Sequence, residues 1–328
     1  MDTMEASKDL FKNKNSLTLE RFNEISRGKK FSLEDVDWST PIDKRRRWAP
    51  PAIVSLEYLP AFQKLPGLVQ VRYNQLHALA ICETFSLFEG EFLLPYLKNL
   101  LKSDLAKKSE AFQESMEHFL EEESKHAEMF WRLAEHAEPN LYKTRRRLFA
   151  RTSLLNSFVL RALSFFPETL LVWVWIVIFF EERTLMYAKQ YMGFAEKKPL
   201  FIETHFVKAH QIHYLEEIRH VRMDESLIQI LYKNKPQWKR RLAARMMKGI
   251  IRGFTEPRKI SSHILEHLKG EFPHIPDSQL QAVKDEMKGL RGIKAFQEVH
   301  FGEKSTERTR LCMSEFEEFK DIWDSVPL

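Results

Sequence analysis

His213, Glu217 and His220 stand at i, i+4 and i+7 in HQIHYLEEIRHVRMDE, residues 210 to 225. At 3.6 residues per turn, these three side chains share one face of a helix. Imidazole nitrogen and carboxylate oxygen suit iron, manganese or zinc, so this stretch offers half of a metal site. Glu123 and His126, at i and i+3 in EEESKHAEMF, offer the matching half. Single carboxylates on apolar helical stretches follow at Glu89, in SLFEGEFLLPY, and Glu181, in VWIVIFFEERTL. Two Glu-x-x-His pairs plus one Glu from each of two more helices is the ligand layout of two-metal carboxylate bundles.

The chain is rich in these residues, so chance has to be weighed. With 35 Glu and 12 His in 328 residues, about 1.3 Glu-x-x-His matches are expected at random, and three occur. The third, Glu271 to His274, spans Phe272-Pro273 and breaks helical geometry. The other two lie on long periodic helices and share apolar faces. Four carboxylates converging in a core without counter-ions would each cost several kcal/mol or take up a proton. Two divalent ions carry the matching positive charge.

Four long helices must position these groups. The first, at about 67 to 102, exposes Thr84, Glu91, Lys98 and Lys102, and Glu89 points away from that stripe. Glu89 is therefore the inward carboxylate, with Glu83 at the boundary as the alternative. The second, at about 105 to 137, carries Glu123 and His126 in a face shared with Phe119, Phe130 and Leu133. A connector helix at about 141 to 165 leads to the third, at about 167 to 194. There Arg183 and Gln190 mark the outside, which favours Glu181 over Glu182 as the inward acid; Thr184, one turn on, would project its hydroxyl into the same cavity. The fourth, at about 199 to 233, carries His213, Glu217 and His220, with His210 one turn earlier as a hydrogen-bond donor to the site.

Ten Gly and 14 Pro in 328 residues favour helix over strand, and the fold class is all-α: a four-helix bundle with additional peripheral helices. The domain organisation expected is a single domain over 1–328, with a wrapping segment at 1–55, a bundle core at 60–232 and accessory helices at 236–328. A short helix is expected near 17–27 and another near 55–64; residues 256–277 read as a proline-punctuated stretch. The run TLLVWVWIVIFF, residues 169–180, is too short for a membrane span and reads as a buried helix. Two cysteines, Cys82 and Cys312, and no apolar leader point to the cytoplasm.

At this point the residues resemble the p-aminobenzoate N-oxygenase family, a group of ferritin-like diiron proteins. The order of one inward Glu, Glu-x-x-His, a second inward Glu, then His-x-x-x-Glu-x-x-His is similar to that family's, and the additional histidine, here His213, is its specific part. The resemblance covers about residues 60 to 232. It implies the ligand set Glu89, Glu123, His126, Glu181, His213, Glu217 and His220, two iron ions (Fe2+/Fe3+), and O2 activated for oxidation of a small organic substrate. Ligand chemistry alone keeps manganese beside iron. Arylamine N-oxygenation by a non-haem diiron monooxygenase is the activity the family implies, in an apolar pocket expected at Phe85, Phe88, Phe119, Phe130, Trp175, Phe179 and Phe180.

Two other readings stand beside it: a hydroxylase or desaturase of a lipid or carrier-bound acyl chain, and a ferritin-like iron-binding protein without organic substrate. The expected partners are a small-molecule substrate, an electron donor, and an acidic carrier protein or membrane surface that would meet the basic segment 239–252. A homodimer is also entertained. The net charge of +5 comes without a nucleic-acid-binding motif, so no nucleic acid is expected.

Overall fold

Pro66 opens the first long helix and a π-helical turn interrupts it near its middle. In the computed structural model, which describes residues 18–28, 31–151, 164 and 170–328, α1 (Leu19–Gly28) precedes α2 (Gly67–Leu87). A π-helical segment, Phe88–Leu93, joins α2 directly to α3 (Leu94–Leu100). After the short helix Asp104–Lys108, Ser109 caps α4 (Glu110–Ala137) by accepting the Phe112 N–H. Next come α5 (Val172–Lys197) and α6 (Thr204–Leu231), whose first turn is capped by the Glu203 carboxylate on the His205 N–H at 2.6 Å. These helices form an all-helical, ferritin-like bundle, and α5 and α6 pack along most of their length.

The apolar core is in two bodies, and the changeover falls at the same level on every bundle helix. Phe88, Phe119, Phe179 and Ile218 belong to one cluster; Phe85, Phe130, Met186 and Ile212 belong to the other. Between them lies a layer of buried acids and histidines. Among the described residues no helix is long and apolar enough to cross a membrane. Trp173 and Trp175, in the most hydrophobic run, are fully buried within the first cluster.

A strap of extended chain and 3-10 turns, residues 31–66, runs over the second cluster. Asn74 on α2 fixes it: its side-chain oxygen accepts the Trp48 and Ala49 N–H groups at 2.9 and 3.0 Å, and its amide donates to the Ala49 carbonyl. Pro50 and Pro51 follow and have no N–H to satisfy. In place of the helix expected over 55–64, a 3-10 turn (Ser55–Tyr58) leads into a single α-turn (Pro60–Gln63).

The C-terminal part forms α7 (Gln237–Phe254), α8 (Arg258–Glu271), α9 (Asp277–Glu286), α10 (Lys294–Phe301) and α11 (Glu307–Ser314). The stretch read as proline-punctuated therefore holds a helix, because Pro257, Pro273 and Pro276 flank α8 rather than interrupt it. The connector helix differs as well. Residues 141–151 are turns and irregular chain, with Arg145 at φ 48°, and the rest of that expected helix lies almost wholly outside the described residues.

Candidate metal centre

The irregular connector is explained by Glu83. Its carboxylate accepts the Tyr142 hydroxyl at 2.7 Å and the N–H groups of Leu148, Phe149 and Ala150 at 2.7 to 2.8 Å. All its acceptor capacity is directed at the chain after α4, so the structure separates Glu83 from the acidic layer. Glu89, six residues on in the π-helical segment, faces the other way, with Oε1 3.3 Å from His213 Nε2. Such a widened turn re-aims side chains and is frequent at functional sites. Beside it, a Cβ on Gly90 would meet the Ala127 Cβ at 3.4 Å, the close approach that brings α2 and α4 together here.

Glu182 and Glu181 diverge in the same way. Glu182 accepts the N–H groups of Arg308 and Thr309 at 2.7 and 2.8 Å, which holds the first turn of α11. Glu181 is buried among the acids of the layer. Arg183, taken from the sequence as marking the outside, is buried: α10 and the end of α7 cover it, and its guanidinium lies over the rings of Phe179, Phe254 and Phe301.

Glu123, His126, Glu217 and His220 bring one ligand atom each to within 4.8 Å of one another, all fully buried. His126 Nδ1 lies 2.9 Å from Glu217 Oε1, and His220 Nδ1 lies 2.7 Å from Glu123 Oε1. His213 Nε2 is 2.8 Å from Glu217 Oε1, which links Glu89 to the group. Glu181 adjoins through Glu217. Each of these seven residues carries at least one buried oxygen or nitrogen without a hydrogen-bond partner. So many orphaned acceptors in one place is a heavy desolvation cost that bound cations would relieve.

The charges point the same way. Burial, and then the mutual repulsion of the acids, pushes Glu123 and Glu217 far above the usual carboxylate range. Burial and the neighbouring Glu89 raise Glu181 to about 7. Burial likewise holds His126 and His220 below the ordinary histidine value, keeping them neutral and able to ligate.

Two acids that sequence reasoning passed over orient those rings. Glu122 Oε2 is 2.7 Å from His220 Nε2, and Glu216 Oε2 is 2.8 Å from His126 Nε2. A carboxylate can only accept, so each ring carries its proton on Nε2 and turns the Nδ1 lone pair inward. Arg219 balances Glu122 at 2.7 Å and Lys125 balances Glu216 at 2.5 Å. Burial alone would raise both acids, yet the histidines and these cations hold them below the usual range. The signal was present in the sequence as doubled Glu-Glu-x-x-His.

Other expectations are corrected. His210 donates to nothing: both ring nitrogens lack partners and the ring stacks on Tyr191 at 3.9 Å. The Thr184 hydroxyl donates to the Glu181 backbone carbonyl at 2.7 Å, the usual habit of a helical threonine, and is not a free donor. In keeping with its reading as the chance match, the acid of the third pair, Glu271, lies away from the layer and accepts both arms of the Arg72 guanidinium at 2.7 and 2.8 Å.

A cavity of about 100 Å³ opens beside the acidic layer, with Phe85, Phe180, Thr84, Arg183, His77 and His300 on its walls. Of the seven aromatic residues expected to line a pocket, only Phe85 and Phe180 do so. Phe88 stacks on Phe180 at 4.2 Å, Phe130 packs edge-on to Phe85 at 4.8 Å, and Phe119 covers His220 at 4.3 Å. Trp175 and Phe179 are taken up by Phe319 and Phe301 from the C-terminal segment.

Comparison with known proteins agrees with this geometry. The family model described as P-aminobenzoate N-oxygenase AurF matches residues 12–289, which is most of the chain. No curated protein matches it.

Proposed function

We propose that this chain, which belongs to the p-aminobenzoate N-oxygenase family, is a two-iron oxygenase that oxidises the amino group of a small aromatic substrate. The observation that carries the reading is the convergence of four acids and three histidines, buried and with orphaned ligand atoms, between two apolar clusters. Glu89, Glu123, His126, Glu181, His213, Glu217 and His220 would hold the metal. When bound, two irons supply dioxygen activation and redox equivalents.

The chain's own residues do the rest. Glu122 keeps the His220 lone pair facing inward and Glu216 does the same for His126. The Phe85 ring stands between the centre and the cavity, 5.6 Å from the His213 ring, and keeps water from this side of the layer, while Phe180 adds a second aromatic wall to the cavity. The cavity walls are mainly apolar and suit an aromatic ring. Arg183 donates to the His300 carbonyl at 3.0 Å, and among the described residues no carboxylate pairs with it. An acid group on the substrate ring would supply the missing counter-charge.

The test is incubation of iron-loaded protein with p-aminobenzoate, aniline, dioxygen and a reductant. The reading expects hydroxylamine or nitro product, with p-aminobenzoate preferred and that preference lost in Arg183→Met. Metal-loaded protein that consumes dioxygen but oxidises no arylamine would contradict it.

A further inference from the structure

Helix α7 carries no acidic residue and a two-sided outer face that the metal centre does not use. Trp238, Leu242, Arg245 and Gly249 follow one another at i, i+4, i+7 and i+11, so they form one outward ridge. Trp238 is 64% and Leu242 48% exposed. The Lys239 ammonium lies 5.5 Å from the centre of the Trp238 ring. Beside the ridge runs an almost wholly apolar groove of about 200 Å³, walled by Leu170, Val172, Ala243 and Met246. Flanking it on the other side are exposed Arg241, Lys248 and Arg252, next to Arg245 of the ridge itself. The acids of the packed C-terminal turns temper this face only partly. Glu318 is buried against the inward-turned Arg240 at 3.0 Å, Glu317 reaches Lys320 at 4.0 Å and Glu315 accepts from Gln229 at 2.8 Å; Asp321 meets Lys248 through its backbone carbonyl, which leaves the Asp321 and Asp324 carboxylates.

We infer that α7 docks this protein on an anionic lipid surface, with Trp238 and Leu242 entering the headgroup boundary and Arg241, Arg245, Lys248 and Arg252 meeting lipid phosphates. An exposed indole and leucine beside a row of cations is the composition of an interfacial helix, which satisfies apolar and charged groups at once. An acidic protein would answer the cations and leave the indole, the leucine and the groove without purpose. The same helix ends at Phe254, a wall of the cavity beside the acidic layer, so docking would bring that cavity near the membrane. Docking through α7 requires neither the metal nor the reaction.

Co-sedimentation of the full chain with phosphatidylcholine vesicles, with and without phosphatidylglycerol, tests it. Binding is expected only with phosphatidylglycerol and should weaken as salt is raised. Trp238→Ala with Leu242→Ala, and separately Arg241→Glu with Arg245→Glu, should each reduce the bound fraction about tenfold or more. These side chains are at the surface, and unchanged circular dichroism would show that the variants fold. Equal binding to both vesicle types, no binding to either, or wild-type binding by both variants would overturn the inference. Salt-sensitive binding to polyglutamate without vesicle binding would assign the helix to an acidic protein and overturn it too.

Discussion

Glu122 on α4 reaches across to His220 on α6, its Oε2 2.7 Å from the ring Nε2, and Glu216 on α6 makes the reverse crossing to His126 at 2.8 Å. Each helix thus aims the other's histidine. Replacing Glu122 with Gln keeps the volume but lets the amide donate to the ring, which favours the wrong tautomer. Metal affinity should fall about 10- to 100-fold, read by competition with a chelator, while the fold is retained. Unchanged affinity would mean that the crossing does not orient the ring.

Glu83 and Glu89 should part company. Glu83→Ala removes the acceptor for Tyr142 and three backbone N–H groups, so it should cost at least about 3 kcal/mol of stability. The folded fraction should still bind its full complement of metal. Glu89→Ala should do the opposite, losing metal while the metal-free protein keeps its stability, since the carboxylate it removes has no hydrogen-bond partner. Denaturant titration with metal analysis on both variants decides the matter.

His213→Ala should lower metal content without loss of helicity, because alanine is the better helix former. His213 Nε2 is the atom nearest Glu89 among the described ion-pair contacts, so its removal also frees that carboxylate. Full metal content in this variant would remove His213 from the ligand set.

Stability should also depend on pH through His77. Burial lowers its pKa from 6.5 to about 4. The unfolded chain therefore binds the proton first as pH falls, and stability is present above about 6.5 and lost progressively towards 4. The group contributes about 3 kcal/mol at most, at 1.4 kcal/mol per unit. Urea midpoints at pH 7 and pH 4.5 should converge more in His77→Asn than in wild type; an equal drop in both would assign the acid sensitivity elsewhere.

Much of this was legible before the structure. The helical wheel separates Glu89 from the exposed face because most of that face stays at the surface, from the half-buried Glu91 to Lys98 and Lys102, although Thr84 at its start lines the cavity instead. It misjudged Arg183 because periodicity reports which face is polar, not what later helices will cover. α8 was hidden because prolines were counted rather than placed, and Pro257 and Pro273 stand at its borders. The connector was misread because Glu83, a residue distant in sequence, collects the N–H groups that a helix would have needed. Glu122 and Glu216 were visible as doubled acids, yet only the cross-helix distance tells an orienting carboxylate from a solvated one.

The geometry calls for these seven residues to form one two-metal centre. Anaerobic addition of ferrous iron to metal-free protein, followed by removal of free iron and metal analysis, tests it most directly. The account predicts two irons per chain, reduced to one or none in Glu123→Ala and Glu217→Ala, with proton release on loading because the buried acids give up the protons that burial makes them hold. A single iron in the wild-type chain, or none, or full occupancy in both variants, would contradict it.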